Sequence, residues 1–349
     1  MNAQNIIKKN SYLCRNFVIP MNKIIGIGNV LVDVLVRLTD DEELEYLGLP
    51  KGGMMLIDDE QQHLLTVRTR ALHSAMATGG CAANAVLALA NLGASPGLIG
   101  CLGSDDMGDF YIDNCRNAGI EIRFIRTDSH TGVANTFITP DAERTFATCL
   151  GAASRLKAED ITAELLSGFQ LLHIEGYLVQ NYTLIEHTCR LAKQMGMTVS
   201  MDLASSNVVS EHLDFLRTLV SEYVDIVFAN EEESVAFTKG KQPENALKEI
   251  AGMADVAVVK LGKYGAMAMK GKEYAFVPGC EVKVVDTTAA GDFFAGGFLY
   301  ALTHGASVEQ CLKTGTLLAS HVIQVVGTQL PKSCWQKIIH HTQSILSHT

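Results

Sequence analysis

The chain has 349 residues, 48% of them hydrophobic and 19% charged, a balance that excludes global disorder and allows a large buried core. Its net charge of −10 argues against a nucleic-acid binder, which carries a basic patch or stripe. No apolar run reaches the roughly 20 residues that a membrane-spanning helix needs, so neither a nucleic-acid nor a membrane partner is expected.

An anionic ligand is not excluded, because backbone N–H groups at helix N-termini bind anions whatever the global charge. The nine cysteines are scattered and odd in number, without a CxxC pair, and the eleven histidines show no HExxH spacing. Free thiols in a reducing, cytoplasmic setting are expected, rather than a disulfide framework or a zinc site.

Residues 1–20 are polar and slightly basic and lack the apolar core of a signal peptide. They are expected to form an N-terminal extension or a short ordered arm, with Met21 as the natural start and 21–349 as one domain. From there short apolar runs alternate with longer helical patterns, as βαβ units do. Strands are predicted at 23–28, 97–101, 170–174, 197–202, 225–229, 255–260 and 265–269. Helices are predicted near 80–92, 106–117, 183–195, 211–221, 231–238, 243–251, 291–303, 307–325 and 332–346.

Two regions break this rhythm. Residues 31–57 and 119–150 read as β-rich without helices, and 120–127 alternates as Ile-Glu-Ile-Arg-Phe-Ile-Arg. With 132–139 and, past the Pro140-Asp141 turn, 143–149, these are expected to form a small antiparallel sheet that closes over a site as a lid.

Chemistry concentrates at Asp286-Thr287-Thr288-Ala289-Ala290-Gly291-Asp292, between a strand-like 282–285 and an apolar helix. Small residues there let the backbone turn tightly and bare its N–H groups at the helix N-terminus, where the macrodipole favours an anion. Asp292 in the first turn is placed to take a proton from an attacking hydroxyl. The plainer reading makes Asp292 a helix cap, with Gly296 and Gly297 serving close packing.

This segment resembles the C-terminal signature of the ribokinase-like (PfkB-type) carbohydrate kinases. Gly79-Gly80-Cys81-Ala82-Ala83-Asn84-Ala85 resembles the N-terminal one, Asn230-Glu231-Glu232-Glu233 the Asn-x-x-Glu motif, and Leu261-Gly262-Lys263-Tyr264-Gly265 the nucleotide loop. The four matches fall in the family's order and cover nearly the whole chain. The resemblance implies a ribokinase-like three-layer α/β/α sandwich with a central, mostly parallel sheet and a small β-sheet lid, acting as a monomer or as a homodimer through the lid. It implies ATP and Mg²⁺, with K⁺ as a further candidate, and a small-molecule substrate.

By the same resemblance Asp292 is the catalytic base, and the backbone of Ala289, Ala290 and Gly291 is the anion hole. Asn230 and Glu233 organise Mg²⁺ and phosphates, Glu233 through water; Gly262 and Gly265 let the backbone approach the nucleotide. Asp286 and Thr288 form a monovalent-cation loop. Asp33, Gly79, Gly80 and Asn84 contact the acceptor, and helix 307–325 with the Gly327 turn walls the adenine pocket. Plainer readings stand beside these: an N-cap for Asn230 and Glu233, a β-turn for Gly262 and Gly265, a turn cap for Asp286. Asp202, at a strand end, is balanced between a site residue and a loop cap, and Lys260 departs from the family's usual Thr or Ser.

Gly28-Asn29-Val30-Leu31-Val32-Asp33 is similar to the Gly-Asn-x-Leu-x-Asp pattern of adenosine kinases, whereas ribokinases place Asn where Leu31 stands. An apolar group suits a nucleobase edge, so a nucleoside acceptor, adenosine first, is expected, with ribose, fructose or a related keto-sugar as the alternative. Phe124, Phe137 and Phe146 on the lid either flank such a base or fill the lid core. A dinucleotide-binding oxidoreductase needs a third glycine where Leu31 stands, and no Walker A sequence occurs. A non-catalytic sensing module is opposed by the intact Asp292 segment.

Overall fold

The computed structural model describes residues 23–347 except 52, 71, 73 and 142, so the expected extension 1–20 and Met21 lie outside the described residues. β1 (Ile24–Ile27) opens the large sheet, and β2 (Leu31–Arg37) leaves it for a smaller one. α1 (Glu42–Leu47), β3 (Met54–Leu56), α2 (Asp59–Thr69) and β4 (Ser74–Gly79) follow, before α3 (Cys81–Asn91) returns the chain to β5 (Gly97–Gly103). After α4 (Asp106–Asn117) and β6 (Glu121–Thr127), β7 (Gly132–Ile138) and β8 (Arg144–Cys149) complete the small sheet.

Regular alternation then sets in, with α5 (Ala163–Leu166), β9 (Leu171–Glu175), α6 (Tyr182–Gln194) and β10 (Thr198–Asp202). α7 (Ser206–Glu211), α8 (Leu213–Tyr223), β11 (Ile226–Asn230), α9 (Glu231–Phe237), α10 (Pro243–Ala251) and β12 (Val256–Lys260) continue it. The hairpin β13 (Ala266–Lys270) and β14 (Glu273–Val277) precedes α11 (Ala290–Thr303), α12 (Val308–Val322) and α13 (Lys332–Ser347).

The large sheet runs β14-β13-β12-β11-β10-β9-β1-β5-β6, parallel except for the hairpin at one edge. Its inner strands are apolar on both faces, as strands covered by helices on both sides must be. In β11, Val227 and Ala229 face α6, α8, α9 and α10, while Ile226 and Phe228 face α11 and α12. This is the α/β/α sandwich expected. The second helical layer packs unusually closely, because a Cβ on Gly296 would fall 2.6 Å from the Ala85 carbonyl oxygen of α3. The packing reading of Gly296 is therefore met. No helix of the described residues is long and apolar enough to cross a membrane, and the eight described cysteines are free thiols.

The small sheet runs β3-β8-β7-β2-β4 and differs from expectation in four respects, one of them the absence of 121–127. It is mixed, since β2 pairs with β7 and β3 with β8 in parallel. It includes β4, whose Ser-Ala-Met-Ala-Thr-Gly sequence carries too little β-branched character to announce a strand. And 31–57 holds the helix α1.

Segment 121–127 belongs to the large sheet, paired in parallel with β5. It is an edge strand whose Ile122 and Phe124 pack towards α4, where Phe124 meets Tyr111 edge-on at 5.7 Å, while Ile125 packs into the core on the other face. Segment 282–285, expected as a strand, is irregular. Below the small sheet, His130 Nε2 lies 2.9 Å from Asp59 Oδ1, and the Cys149 thiol donates to the same oxygen at 3.4 Å, tying the start of α2 to the end of β8.

Candidate active site

In a parallel sheet the carboxyl ends of the strands open together, and that edge is where ligands bind. Here the last residues of four neighbouring strands are polar: Glu175 of β9, Asp202 of β10, Asn230 of β11 and Lys260 of β12. All four line a single cavity of about 1210 Å³. The N-terminus of α11 and the small sheet form its other walls. Of the residues expected to act on phosphate, metal, nucleotide or acceptor, all but Gly79 and Asp286 line it; Gly327, expected in the adenine wall, does not.

Ala289 caps α11 with φ +60° and ψ +8°, a left-handed conformation that an alanine adopts only when its surroundings impose it. The Ala290 N–H turns back to the Thr287 carbonyl at 3.2 Å, whereas those of Ala289, Gly291 and Asp292 meet no acceptor among the described residues. Asp292 Oδ2 accepts from Asn84 Nδ2 of α3 at 2.9 Å. Loss of hydration pushes the Asp292 carboxyl up to about 7, the Asn84 bond opposing and the Asp202 charge adding to the shift.

Asp286 lies behind this turn. One of its oxygens accepts from Thr288 N–H at 2.9 Å and the other from Gly327 N–H at 2.6 Å, clamping the turn to the end of α12. The loop-capping reading of Asp286 is thus present in the geometry. Asn230 and Glu233 likewise form the capping box of α9: Asn230 Oδ1 accepts from Glu233 N–H at 2.8 Å, and Glu233 Oε2 from Asn230 N–H at 2.7 Å. Burial first, then the Asp202 charge, pushes Glu233 up to about 7.

Across the cavity, Asp33 of β2 lies against Gly79. A Cβ there would fall 2.2 Å from its Oδ1, so the glycine makes room for the carboxylate. The Asp33 carboxylate has no hydrogen-bond partner among the described residues, and Asp33 lines the cavity. Burial, and secondarily Asp286, pushes it up to about 7. Gly80 caps α3 at φ +103°, with the Asn29 carbonyl oxygen 2.1 Å from where its Cβ would sit.

Gly262 and Gly265 both line the cavity at positive φ. At Gly265 a Cβ would collide with the Val277 carbonyl oxygen at 2.0 Å, so β14 already accounts for that glycine. Thr316, Ala319, Ser320 and Ile323 bring α12 into the cavity wall, as expected for 307–325. Of the three phenylalanines only Phe146 reaches the cavity; Phe137 is fully buried in the small-sheet core and Phe124 packs on α4.

Two features were not legible in the sequence. Glu175 accepts from Asn29 Nδ2 at 2.8 Å and from Ala82 N–H at 3.2 Å, anchoring both glycine-containing loops. Its signal is an acid ending the apolar strand Leu-Leu-His-Ile-Glu. Lys260 Nζ pairs with Asp202 Oδ2 at 2.6 Å, both side chains largely buried, and lies 3.0 Å from where a Cβ on Gly291 would sit. Burial pulls the ammonium down, but Asp202, Glu233 and Asp292 together hold its pKa above the ordinary value.

The class that this fold and cavity define is that of small-molecule kinases, which bring a nucleotide and a hydroxyl compound together over a sheet edge. Residues 47–334 match the model of the pfkB family of carbohydrate kinases, and the chain belongs to that family. It is 33% identical to a probable sugar kinase of Rhizobium etli CFN 42, whose solved structure superposes with a TM-score of 0.83 over 93% of this chain and 99% of that one. It is 31% identical to the adenosine kinase of Sinorhizobium meliloti, with a TM-score of 0.82 over 92% and 99%. The ribokinase of Haemophilus influenzae shares 29% identity over 73% of this chain and 83% of its own.

Proposed function

We propose that the protein transfers the γ-phosphoryl group of ATP to the hydroxymethyl group of a nucleoside, adenosine first. The observation that carries this reading is the acceptor end of the cavity, where Leu31, Leu56, Phe146 and Leu150 line the lid wall beside Asp33. A carboxylate suits paired ribose hydroxyls, and an apolar wall suits the flat face of a base. A free sugar has a hydroxyl on nearly every carbon and would leave several unpaired there. The adenosine kinase relative supports the reading; the ribokinase and sugar kinase relatives support the alternative, a ribose- or fructose-type acceptor.

In this account Asp292 takes the proton of the attacking hydroxyl, its pKa near 7 being matched to neutral pH. Asn84 holds the carboxylate in place. The N–H groups of Ala289, Gly291 and Asp292 receive the charge on the transferring phosphoryl group. Ala290 contributes backbone shape rather than its N–H, which Thr287 already engages.

The all-oxygen donor set at Asn230 and Glu233 fits Mg²⁺. Each Glu233 oxygen keeps a lone pair beyond its bond to Asn230, and Glu233 is a residue of the cavity wall, so it would hold the ion through water. When bound, Mg²⁺ neutralises phosphate charge. Asp286 and Thr288 would serve K⁺ only on the side of the turn that their mutual hydrogen bond leaves open.

Leu31→Asn tests the acceptor assignment. A buried amide without a partner costs about 1–3 kcal/mol, so adenosine kcat/KM is expected to fall roughly 5- to 150-fold while ribose and fructose turnover holds or improves. Wild-type kcat/KM for ribose or fructose well above that for adenosine would leave the kinase standing and remove the nucleoside.

A further inference from the structure

Of the cationic side chains that line the cavity among the described residues, Lys260 and Lys263, only Lys260 sits at the N-terminus of α11. Lys263 is exposed on its loop over the Tyr264 ring. Around Lys260 stand three carboxylates, Asp202, Glu233 and Asp292. A polyphosphate brought beside them meets strong like-charge repulsion unless a cation stands between. Gly291 is the opening that admits one: with any side chain there, the Cβ would crowd Nζ at 3.0 Å. A lysine at the end of an otherwise apolar strand, Val-Ala-Val-Val-Lys, is costly to bury and is retained with its countercharge, Asp202, 58 residues earlier.

We propose that Lys260 is a further catalytic residue, its ammonium held by Asp202 and contacting the transferring phosphoryl group beside Gly291. This rests on the reading of the Ala289–Asp292 turn as the phosphoryl site. In the transfer the acceptor oxygen forms a bond to the γ-phosphorus as the bond from that phosphorus to the β,γ-bridging oxygen breaks. The electron pair leaves with ADP, the hydroxyl proton passes to Asp292, and Lys260 stays protonated throughout. The ammonium acts on charge alone, and most strongly on the equatorial oxygens of the γ-group.

Lys260→Met alone strands Asp202, so the deciding variant is Lys260→Met/Asp202→Asn, which removes both charges. It is expected to melt close to wild type, to lose on the order of 10²-fold in kcat, and to bind ATP at least tenfold more weakly while ADP affinity holds within about threefold. Wild-type kcat together with a wild-type ATP-to-ADP affinity ratio in that variant would reduce Lys260 to a neutraliser of Asp202 and overturn the proposal. The affinity ratio needs no acceptor, so it is independent of which compound is phosphorylated.

Should the double variant not fold, a structure of the wild-type protein with a non-hydrolysable ATP analogue decides. A γ-oxygen about 3 Å from Nζ supports the proposal. A γ-group seated at the turn but beyond hydrogen-bond reach of Nζ overturns it alone, and a γ-group bound elsewhere overturns the underlying reading of the turn as well.

Discussion

Asp292→Asn is expected to lower kcat by a factor on the order of 10²–10⁴ while ATP affinity stays within a few-fold of wild type. The amide keeps an oxygen for Asn84 Nδ2, so the geometry at the turn survives and only proton acceptance is lost. In the wild type, kcat/KM should rise with pH and level off above about 7, because loss of hydration holds the Asp292 carboxyl near that value. The Asn variant should lack this limb.

Stability should move the other way. A carboxyl whose folded pKa is raised stabilises the fold when protonated and loses that contribution as pH rises from about 4 through about 7. Asp292→Asn should therefore melt higher than wild type at pH 8, with the gap closing on acidification towards pH 4. More than a tenth of wild-type kcat in the variant, or an unchanged acid limb, would remove Asp292 from the role of base. Urea unfolding at the two pH values checks the stability half of the expectation.

Asp33→Ala should act on the acceptor and spare the nucleotide. Asp33 lines the cavity, and its carboxylate has no hydrogen-bond partner among the described residues. Two charge-assisted hydrogen bonds to ribose hydroxyls, at about 1.5–3 kcal/mol each, convert to a loss of roughly 10²–10⁴-fold in acceptor kcat/KM. The KM for ATP should stay within about threefold, since Asp33 lies across the cavity from the proposed phosphoryl turn. Steady-state kinetics with each substrate varied in turn separates the two. An acceptor KM unchanged within threefold would show that the hydroxyls are held elsewhere.

The parallel core was legible because strands covered on both faces read as apolar runs, such as Ile226-Val227-Phe228-Ala229. Their polar terminators are equally plain once the strands are placed. The boundary of the small sheet was not legible. Glu121–Thr127 lies at the edge of the large sheet, yet with charged residues interleaved among Ile122, Phe124 and Ile125 it alternates as a strand of a half-solvated antiparallel sheet does. β4 was hidden by its small residues, of which Gly79 makes room for the Asp33 carboxylate.

Within the site, residues local to one motif were legible through the family resemblance. Contacts between distant segments were not: Asn84 to Asp292 spans 208 residues, Asn29 to Glu175 spans 146, and Lys260 to Asp202 spans 58. The resemblance implied ligand contacts for Asn84, Gly79 and Asp286, whereas the fold uses each of them first on another part of the chain. Asn84 orients Asp292, Gly79 clears space for Asp33, and Asp286 clamps its own loop.

The most direct measurement is phosphorus NMR of a single turnover, with enzyme in excess over equimolar ATP and adenosine and Mg²⁺ present. The account predicts one new monoester resonance, coupled to the ribose 5′ methylene protons, that grows as the γ-phosphate signal disappears and as ADP forms in equal amount. Inorganic phosphate in place of the monoester, or a monoester only when ribose or fructose replaces adenosine, would contradict it.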